Sequence, residues 1–374
     1  MPRRKRPNRS FTRIAACVPY LVFSDDDDDD DDDDDNHQFY RFVNEKPHPY
    51  LPKSIKDLAK YIESDDCHSI VILAGAGMSR SSGIPDFRSA GGMYDTLQPE
   101  LFTATDEQRA RMWLDPTAVF DKPLFLENPL PCLECKRPFI LGIKQRKWRA
   151  TVAHRFVELL HEKTGKLSRL YTQNIDGLEG QCKNLSKDLV VPVHGSLDRV
   201  ACEIQECKGE MDFDEFCDKM KTQIKDITGK DDSAPSHSTP IRCESCGNNT
   251  MKPTVVLFRS KLPEIFFQRI VHDLPHVDLL IVIGTSLTVG PANSIVNLVP
   301  PTALRVVVNN EPVGYGLGID YSEDATRDYF ARGMCDDVIL NLIIQLGWSD
   351  DLKEIVDYLP EHSIEHVKER LRME

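Results

Sequence analysis

Ile70-Val-Ile-Leu-Ala74 runs directly into Gly75-Ala-Gly-Met-Ser79, and that junction decides the fold. Five consecutive apolar residues describe a strand buried on both faces. The glycines that follow turn the chain sharply. Four more runs of this kind occur at 168–172, 189–193, 278–283 and 304–308. Near-continuous apolar strands, widely separated in sequence, predict a parallel sheet with helices on both faces. Helical apolar spacing over 152–160 and 338–346 supplies such helices. Ser54-Ile-Lys-Asp57 has the form of a capping box, ahead of Ile55, Leu58, Ala59 and Ile62 at helical spacing. The expected class is α/β.

The chain has 374 residues and a formal charge of −14, with 40% hydrophobic and 28% charged residues. That length buries a full core and predicts about two domains, or one with a large insertion. No apolar run reaches the roughly 18 residues that a spanning helix needs, so no membrane contact is expected. Much of the charge is local. Residues 25–35 are eleven consecutive aspartates, while the first 24 residues hold six cations and no acid. Setting both aside leaves −9 on residues 36–374. That acidity argues against direct nucleic-acid binding and suits a basic polypeptide partner. Arg3-Arg-Lys-Arg6 fits a nuclear address, and with the apolar stretch 14–23 it also fits a mitochondrial presequence. The aspartate run repels itself and reads as a disordered, solvated spacer. The expected location is cytoplasm, nucleus or both, with the mitochondrion as the alternative.

Eleven cysteines, an odd number, point to metal or free-thiol use in a reducing compartment. Cys202-x4-Cys207 and Cys243-x2-Cys246 form two knuckles suited to a closed tetrahedral zinc site, which contributes folding free energy. The pairs stand 35 residues apart. Cys132-x2-Cys135 is a rival pair, and Cys217 or His237 could replace a ligand. Residues 202–246 are polar and interrupt the strand pattern, as does the proline-rich stretch 98–150. Both are expected to belong to a smaller module.

Four further features carry chemistry. The glycine turn after the first strand allows close approach of a pyrophosphate. Its continuation, Gly83-Ile-Pro-Asp-Phe-Arg88 and Gly91-Gly92, stops any helix after about two turns, which counts against a hydride-transferring dehydrogenase. Thr172-Gln-Asn-Ile-Asp176 closes the next strand, where ligands bind in open α/β sheets. An Asn and an Asp there can orient an amide or a water; a plain turn with an Asx cap is the bland alternative. His194-Gly195 ends a third run and suits a general base. Gly284-Thr-Ser286 and Asn309-Asn-Glu311 follow later strands, with hydroxyls for phosphate and an Asn/Glu pair for ribose.

In this order the motifs resemble the sirtuin family of NAD-dependent protein deacylases, from about Ile55 to Trp348, and most closely its cytosolic deacetylase subgroup. The resemblance implies a large Rossmann-like domain and a small zinc-binding domain, with NAD and an acyl-lysine peptide meeting between them. It implies attack of the acyl oxygen on the ribose carbon bearing nicotinamide, release of nicotinamide, and a deacylated lysine with O-acyl ADP-ribose. His194 matches the base, and Asn174 and Asp176 match the positions that hold the nicotinamide ribose and amide. Asp86, Phe87 and Arg88 match the loop closing over NAD. Gly75, Ala76, Gly77, Met78, Ser79, Arg80, Gln173, Ile175, Thr285, Ser286, Asn309, Asn310, Glu311 and Cys335 match other cofactor contacts. Cys202, Cys207, Cys243 and Cys246 match the zinc ligands.

Two positions depart from the family pattern. Lys252-Pro-Thr-Val-Val-Leu-Phe258 is followed by Arg259 where the family has glycine in the strand that pairs substrate peptide, and Ala292 replaces an aromatic. Residues 89–108 contain no Arg or Lys, so a neutral acyl group is expected rather than succinyl or malonyl. The expected organisation is a tail over 1–45, a Rossmann-like domain from 46–97, 151–197 and 252–350, a small module from 98–150 (helical) and 198–251 (zinc-binding), and a helical tail over 351–374. The expected partner is an acetyl-lysine protein or peptide, histone or other. A mono-ADP-ribosyltransferase and a catalytically weak scaffold are the alternative functions.

Overall fold

The computed structural model describes residues 48–84 and 97–373. The N-terminal tail with its aspartate run, Asp86, Phe87 and Arg88 lie outside the described residues.

Six strands form one wholly parallel sheet: β1 (Ile70–Ala74), β2 (Leu167–Thr172), β3 (Val190–Pro192), β7 (Leu279–Ile283), β8 (Leu304–Asn309) and β9 (Asp328–Arg332), in the order β3-β2-β1-β7-β8-β9. Strands β4 (Val200–Cys202), β5 (Glu210–Met211) and β6 (Met251–Pro253) make a separate antiparallel sheet in the order β5-β4-β6. The strand order of the large sheet reverses at β1, and beside it lies the crevice where such sheets bind ligands.

All five residues of β1 are buried. Ile70, Ile72 and Ala74 face a core shared with helices α1 (Ile55–Glu63) and α4 (Val152–Thr164) and with the chain beyond β9. Val71 and Leu73 face a second core, with Phe266, Ile270, Ile295 and Val296. The sheet is therefore covered on both sides. Ser54 does cap α1, accepting from the Asp57 N–H at 3.2 Å. The return bond of a capping box is replaced, because the Ser54 hydroxyl donates to the Asp57 carboxylate at 2.8 Å.

Strand β9 has no apolar run to announce it. Its first residue, Asp328, instead receives a two-pronged bond from Arg305 of β8, at 2.6 and 2.7 Å, with both side chains buried. A similar pair fastens helix α6 (Glu264–Asp273) under the sheet. Arg169 and Tyr171 of β2 donate to Asp273 at 2.6, 3.0 and 2.9 Å.

The proline-rich stretch is largely helical, with α2 (Asp106–Leu114) and α3 (Leu130–Lys144). Leu133 and Ile140 of α3 pack with Phe216 and Met220 of α5 (Phe213–Gln223) and with Val200 and Met251 of the small sheet. The two interruptions thus share a core. No helix among the described residues is long and apolar enough to cross a membrane. Helix α7 (Cys335–Gln345) follows β9, and α8 (Glu361–Leu371) ends the described chain.

Candidate active site

The site residues stand at the carboxyl ends of the sheet strands. After β1, Ala76–Ser82 forms a single 3-10 segment that Gly83 ends at φ 80°. The turns after β1 and β7 interlock. Gly75 N–H donates to Ile283 O at 2.9 Å and Gly77 N–H to Gly284 O at 2.7 Å. A Cβ on Gly77 would stand 2.7 Å from Gly284 Cα, and one on Gly75 would stand 2.5 Å from Thr285 Cβ. The sequence assigns these glycines to a pyrophosphate. The structure gives a nearer reason for them, since backbone meets backbone before any ligand arrives.

Past β2, Asn174 reaches back to that turn. Its Nδ2 donates to Gly75 O at 3.0 Å and to Ser79 Oγ at 3.1 Å, and its own N–H is held by Thr172 Oγ1 at 3.1 Å. Ile175 O accepts from Leu197 N–H at 2.9 Å, tying this segment to the small module. Asp176 accepts the Leu178 N–H at 3.1 Å and is almost fully buried. Burial pushes its carboxyl up against the pull of the Leu178 and Ser79 hydrogen bonds.

Beyond β3, His194 Nδ1 lies 2.9 Å from Gln173 O. A carbonyl only accepts, so Nδ1 carries the proton and Nε2 of the neutral ring is the basic nitrogen. The ring's backbone is clamped as well. Val256 N–H donates to His194 O at 2.9 Å, and Gly195 sits at φ 75° where a Cβ would come within 2.1 Å of Thr254 O. After β7, Thr285 Oγ1 donates to Gln173 Oε1 at 2.6 Å, so Gln173 joins the β7 turn to the imidazole.

The remaining residues lie farther along the same rim. Ser286 is exposed beside Thr288 Oγ1 at 2.8 Å. Asn309 Nδ2 donates to Glu311 O at 3.0 Å, and Asn310 Nδ2 approaches Met334 Sδ at 3.2 Å. Arg80 and Glu311 are exposed. Cys335 is buried against Val308 O, and burial pushes its thiol up to about 12, so it stays protonated.

The metal site is compact. Cys202 Sγ is 3.8 Å from Cys246 Sγ, Cys207 Sγ is 3.7 Å from Cys243 Sγ, and all four sulfurs lie within 4.8 Å of one another. Zn–S bonds of about 2.3 Å in a tetrahedron imply S···S edges of about 3.8 Å, so the donor set could hold a zinc ion. A Cβ on Gly209 would strike Cys243 Sγ at 2.5 Å, which explains glycine between the knuckles. Cys132, Cys135 and Cys217 are buried in helices within apolar cores, and they and His237 take no part in this cluster.

Both family departures have a structural reading. Arg259 keeps the left-handed backbone that a glycine would adopt, φ 64°, and its exposed guanidinium lies 3.4 Å from Asp121. Ala292 is fully buried in the apolar core under the sheet.

Residues 75–291 match the profile of the Sir2 family. The NAD-dependent protein deacetylase sirtuin-2 of Danio rerio is 34% identical over 315 residues, covering 81% of this chain and 74% of the relative. The chain belongs to the Sir2 family. Another Sir2 relative, the NAD-dependent protein deacetylase hst2 of Schizosaccharomyces pombe, is 32% identical over 317 residues, covering 84% of this chain and 82% of that protein. The NAD-dependent deacetylase sir2C of Dictyostelium discoideum is 34% identical over 310 residues, 81% of this chain and 62% of its own length.

Two residues of this Sir2 chain's site escape its motifs. Glu179 and His154 are buried beside Asp176, and donor atoms of the three lie within 4.8 Å of one another. Burial and the Asp176 charge push Glu179 up, to about 8. Burial drives His154 down to about 3, which keeps it neutral. One signal could have pointed to Glu179. Glu179 follows Asp176 by three residues with apolar Leu178 between, so a turn there buries two carboxyls together.

Proposed function

We propose that this Sir2-family chain is an NAD-dependent protein lysine deacetylase. The observation that carries this reading is the bond from His194 Nδ1–H to Gln173 O, which leaves Nε2 as a base at the strand edge that also holds Asn174, Asp176 and the glycine turn. NAD would supply an electrophilic ribose carbon whose nicotinamide departs. The site suits it: the glycine turn over 75–79 lets a phosphate come close to backbone, and the Asn174 amide and Asp176 carboxyl face the nicotinamide end.

His194 would take a proton from a ribose hydroxyl through Nε2, with Gln173 O holding the ring and favouring the imidazolium that forms. Asn174, fixed by Gly75 O and Ser79 Oγ, needs no reorganisation to orient its partner. The four thiols would hold a zinc ion that stabilises the small module, and no zinc chemistry is assigned to the reaction.

We propose an acetyl-lysine in a protein as substrate. The −9 body suits basic flanking sequence such as a histone tail. The absence of cations over 89–108 supports a neutral acyl group. For location we propose cytoplasm and nucleus, on the basic tail. The test is nicotinamide release from NAD with acetylated, succinylated and myristoylated peptides. Expected is release with the neutral acyl peptides, and a fall of about 10²–10⁴-fold in His194→Ala. NAD binding without release would refute deacetylation, and label transfer to protein without acyl peptide would favour ADP-ribosyl transfer.

A further inference from the structure

Behind Asp176 lies a dry cluster that the family motifs leave unassigned. His154 comes from α4, and Glu179 from the short 3-10 segment Leu178–Gln181 that follows the Asp176 turn. His154 Nε2 and Glu179 Oε1 are buried without a hydrogen-bond partner among the described residues.

The tautomer of His154 follows from its neighbours. Thr151 N–H donates to His154 Nδ1 at 3.2 Å, and a backbone amide can only donate, so Nδ1 is unprotonated. The Thr151 hydroxyl, 2.8 Å from the same nitrogen, donates to Met78 O at 2.8 Å in the glycine turn. The neutral ring therefore carries its proton on Nε2. Hydrogen bonds run from Met78 through Thr151 to His154, whose ring stands beside the carboxyl pair.

The carboxyls are too close, in too dry a place, to be ionised together. Asp176 has the Leu178 N–H and the Ser79 hydroxyl to favour its charge. Glu179 faces Asp176, Asp198, the Thr172 hydroxyl, its own N–H and His154. Arg155, whose charge is felt at His154, is engaged with Glu158 and Gln181 O at 3.0 Å each. Among the described residues, the charges that act most on Glu179 are those of Asp176 and Asp198, both negative.

We infer that Glu179 is a positioning residue: it carries the one proton of the Asp176–Glu179 pair and leaves Asp176 as the single carboxylate of the crevice. The protonated acid keeps the pair at one negative charge. Loss of that proton in alkali sets two anions against each other and displaces Asp176. This rests on the NAD reading of the crevice, because Asp176 is taken there to hold the amide end of the dinucleotide.

The test uses the full chain, Glu179→Gln, which keeps the shape but cannot ionise, and His154→Gln as a second variant. Infrared difference spectra of wild type against Glu179→Gln report the acid directly. Expected is a protonated-carboxyl band at pH 7 that fades through pH ~8 and is missing from the variant. In nicotinamide-release assays, the wild-type KM for NAD is expected to rise about tenfold per pH unit above that point, with kcat little changed. Glu179→Gln is expected to be flat over the same range, and His154→Gln to keep the rise, because its Glu179 acid is intact. A wild-type spectrum without the acid band, identical pH profiles for wild type and Glu179→Gln, or more than one metal ion per chain would overturn the inference. If wild type cleaves no NAD, the proposed function falls while the infrared band still decides the protonation of Glu179.

Discussion

Gly77→Ala tests whether the glycine turn exists for its neighbour turn or for a ligand. The added methyl would meet Gly284 Cα at 2.7 Å, Gly284 O at 2.9 Å and Gly284 C at 3.2 Å, all backbone atoms. Ordinary carbon contact begins near 3.5 Å, so the turns must part by most of an ångström. Gly284 cannot yield by swinging, because it sits at φ 62° and its own Cβ position is already 2.6 Å from Gly77 C. Overpacking of this kind costs about 1–3 kcal/mol. At about 2 °C per kcal/mol for a chain this long, Tm should fall by a few degrees. The parting also breaks the bond from Gly77 N–H to Gly284 O and loosens Thr285 from Gln173. Nicotinamide release should therefore fall further than stability does. The control is Gly180→Ala, where a Cβ meets nothing within 4 Å and the change should stay within about 0.5 kcal/mol. Denaturant unfolding and turnover of both variants settle the matter. If Gly77→Ala is as mild as Gly180→Ala, the turns do not interlock and the reasoning fails.

Three further outcomes are expected. Metal analysis should find one zinc ion per chain, lost in Cys243→Ser together with the helical signal of α5, which packs on that knuckle; retained zinc would refute the ligand set. Burial raises Asp273, but hydrogen bonds from Arg169, His272 and Tyr171 outweigh it and hold the carboxyl below its ordinary value. Its stabilisation is thus present above the unfolded value of about 3.9 and lost as pH falls through the lower folded value. Asp273→Asn should remove that part of the acid limb in melting curves and cost about 3–5 kcal/mol at neutral pH by stranding buried Arg169. Arg259→Gly should leave kcat and Tm nearly unchanged, because the backbone already suits glycine. It should lower KM for basic acetyl-peptides by removing a like charge, an effect that added salt erases.

The sheet was legible because β1 and β7 are apolar runs buried on both faces and β2, β3 and β8 carry shorter ones. β9 was not, since its place is set by Arg305 gripping Asp328, a pairing invisible to hydropathy. Asn174, Asp176 and His194 were legible as polar residues following apolar runs. Glu179 and His154 were hidden because each looks ordinary alone: one lies in a polar turn, the other inside a helix, and only the fold brings them together. The stretch 98–150 was read as helical in spite of its prolines, and Pro116 and Pro131 sit at helix starts, where a missing N–H costs nothing. The 35-residue gap between the cysteine pairs diluted their signal, although loop length adds little to closure entropy.

The clamp at Gly195 has a wider consequence. The chain departs for the excursion that carries the four clustered cysteines through 194–196 and comes home through 254–256, and these two legs are stitched by Val256 to His194 and by Thr254 to Ser196. Whatever is inserted between the legs, the imidazole's seat is defined by the stitch. The excursion is thereby free to lengthen, shed or recolour its outer surface over evolutionary time, like an interchangeable handle on a fixed blade.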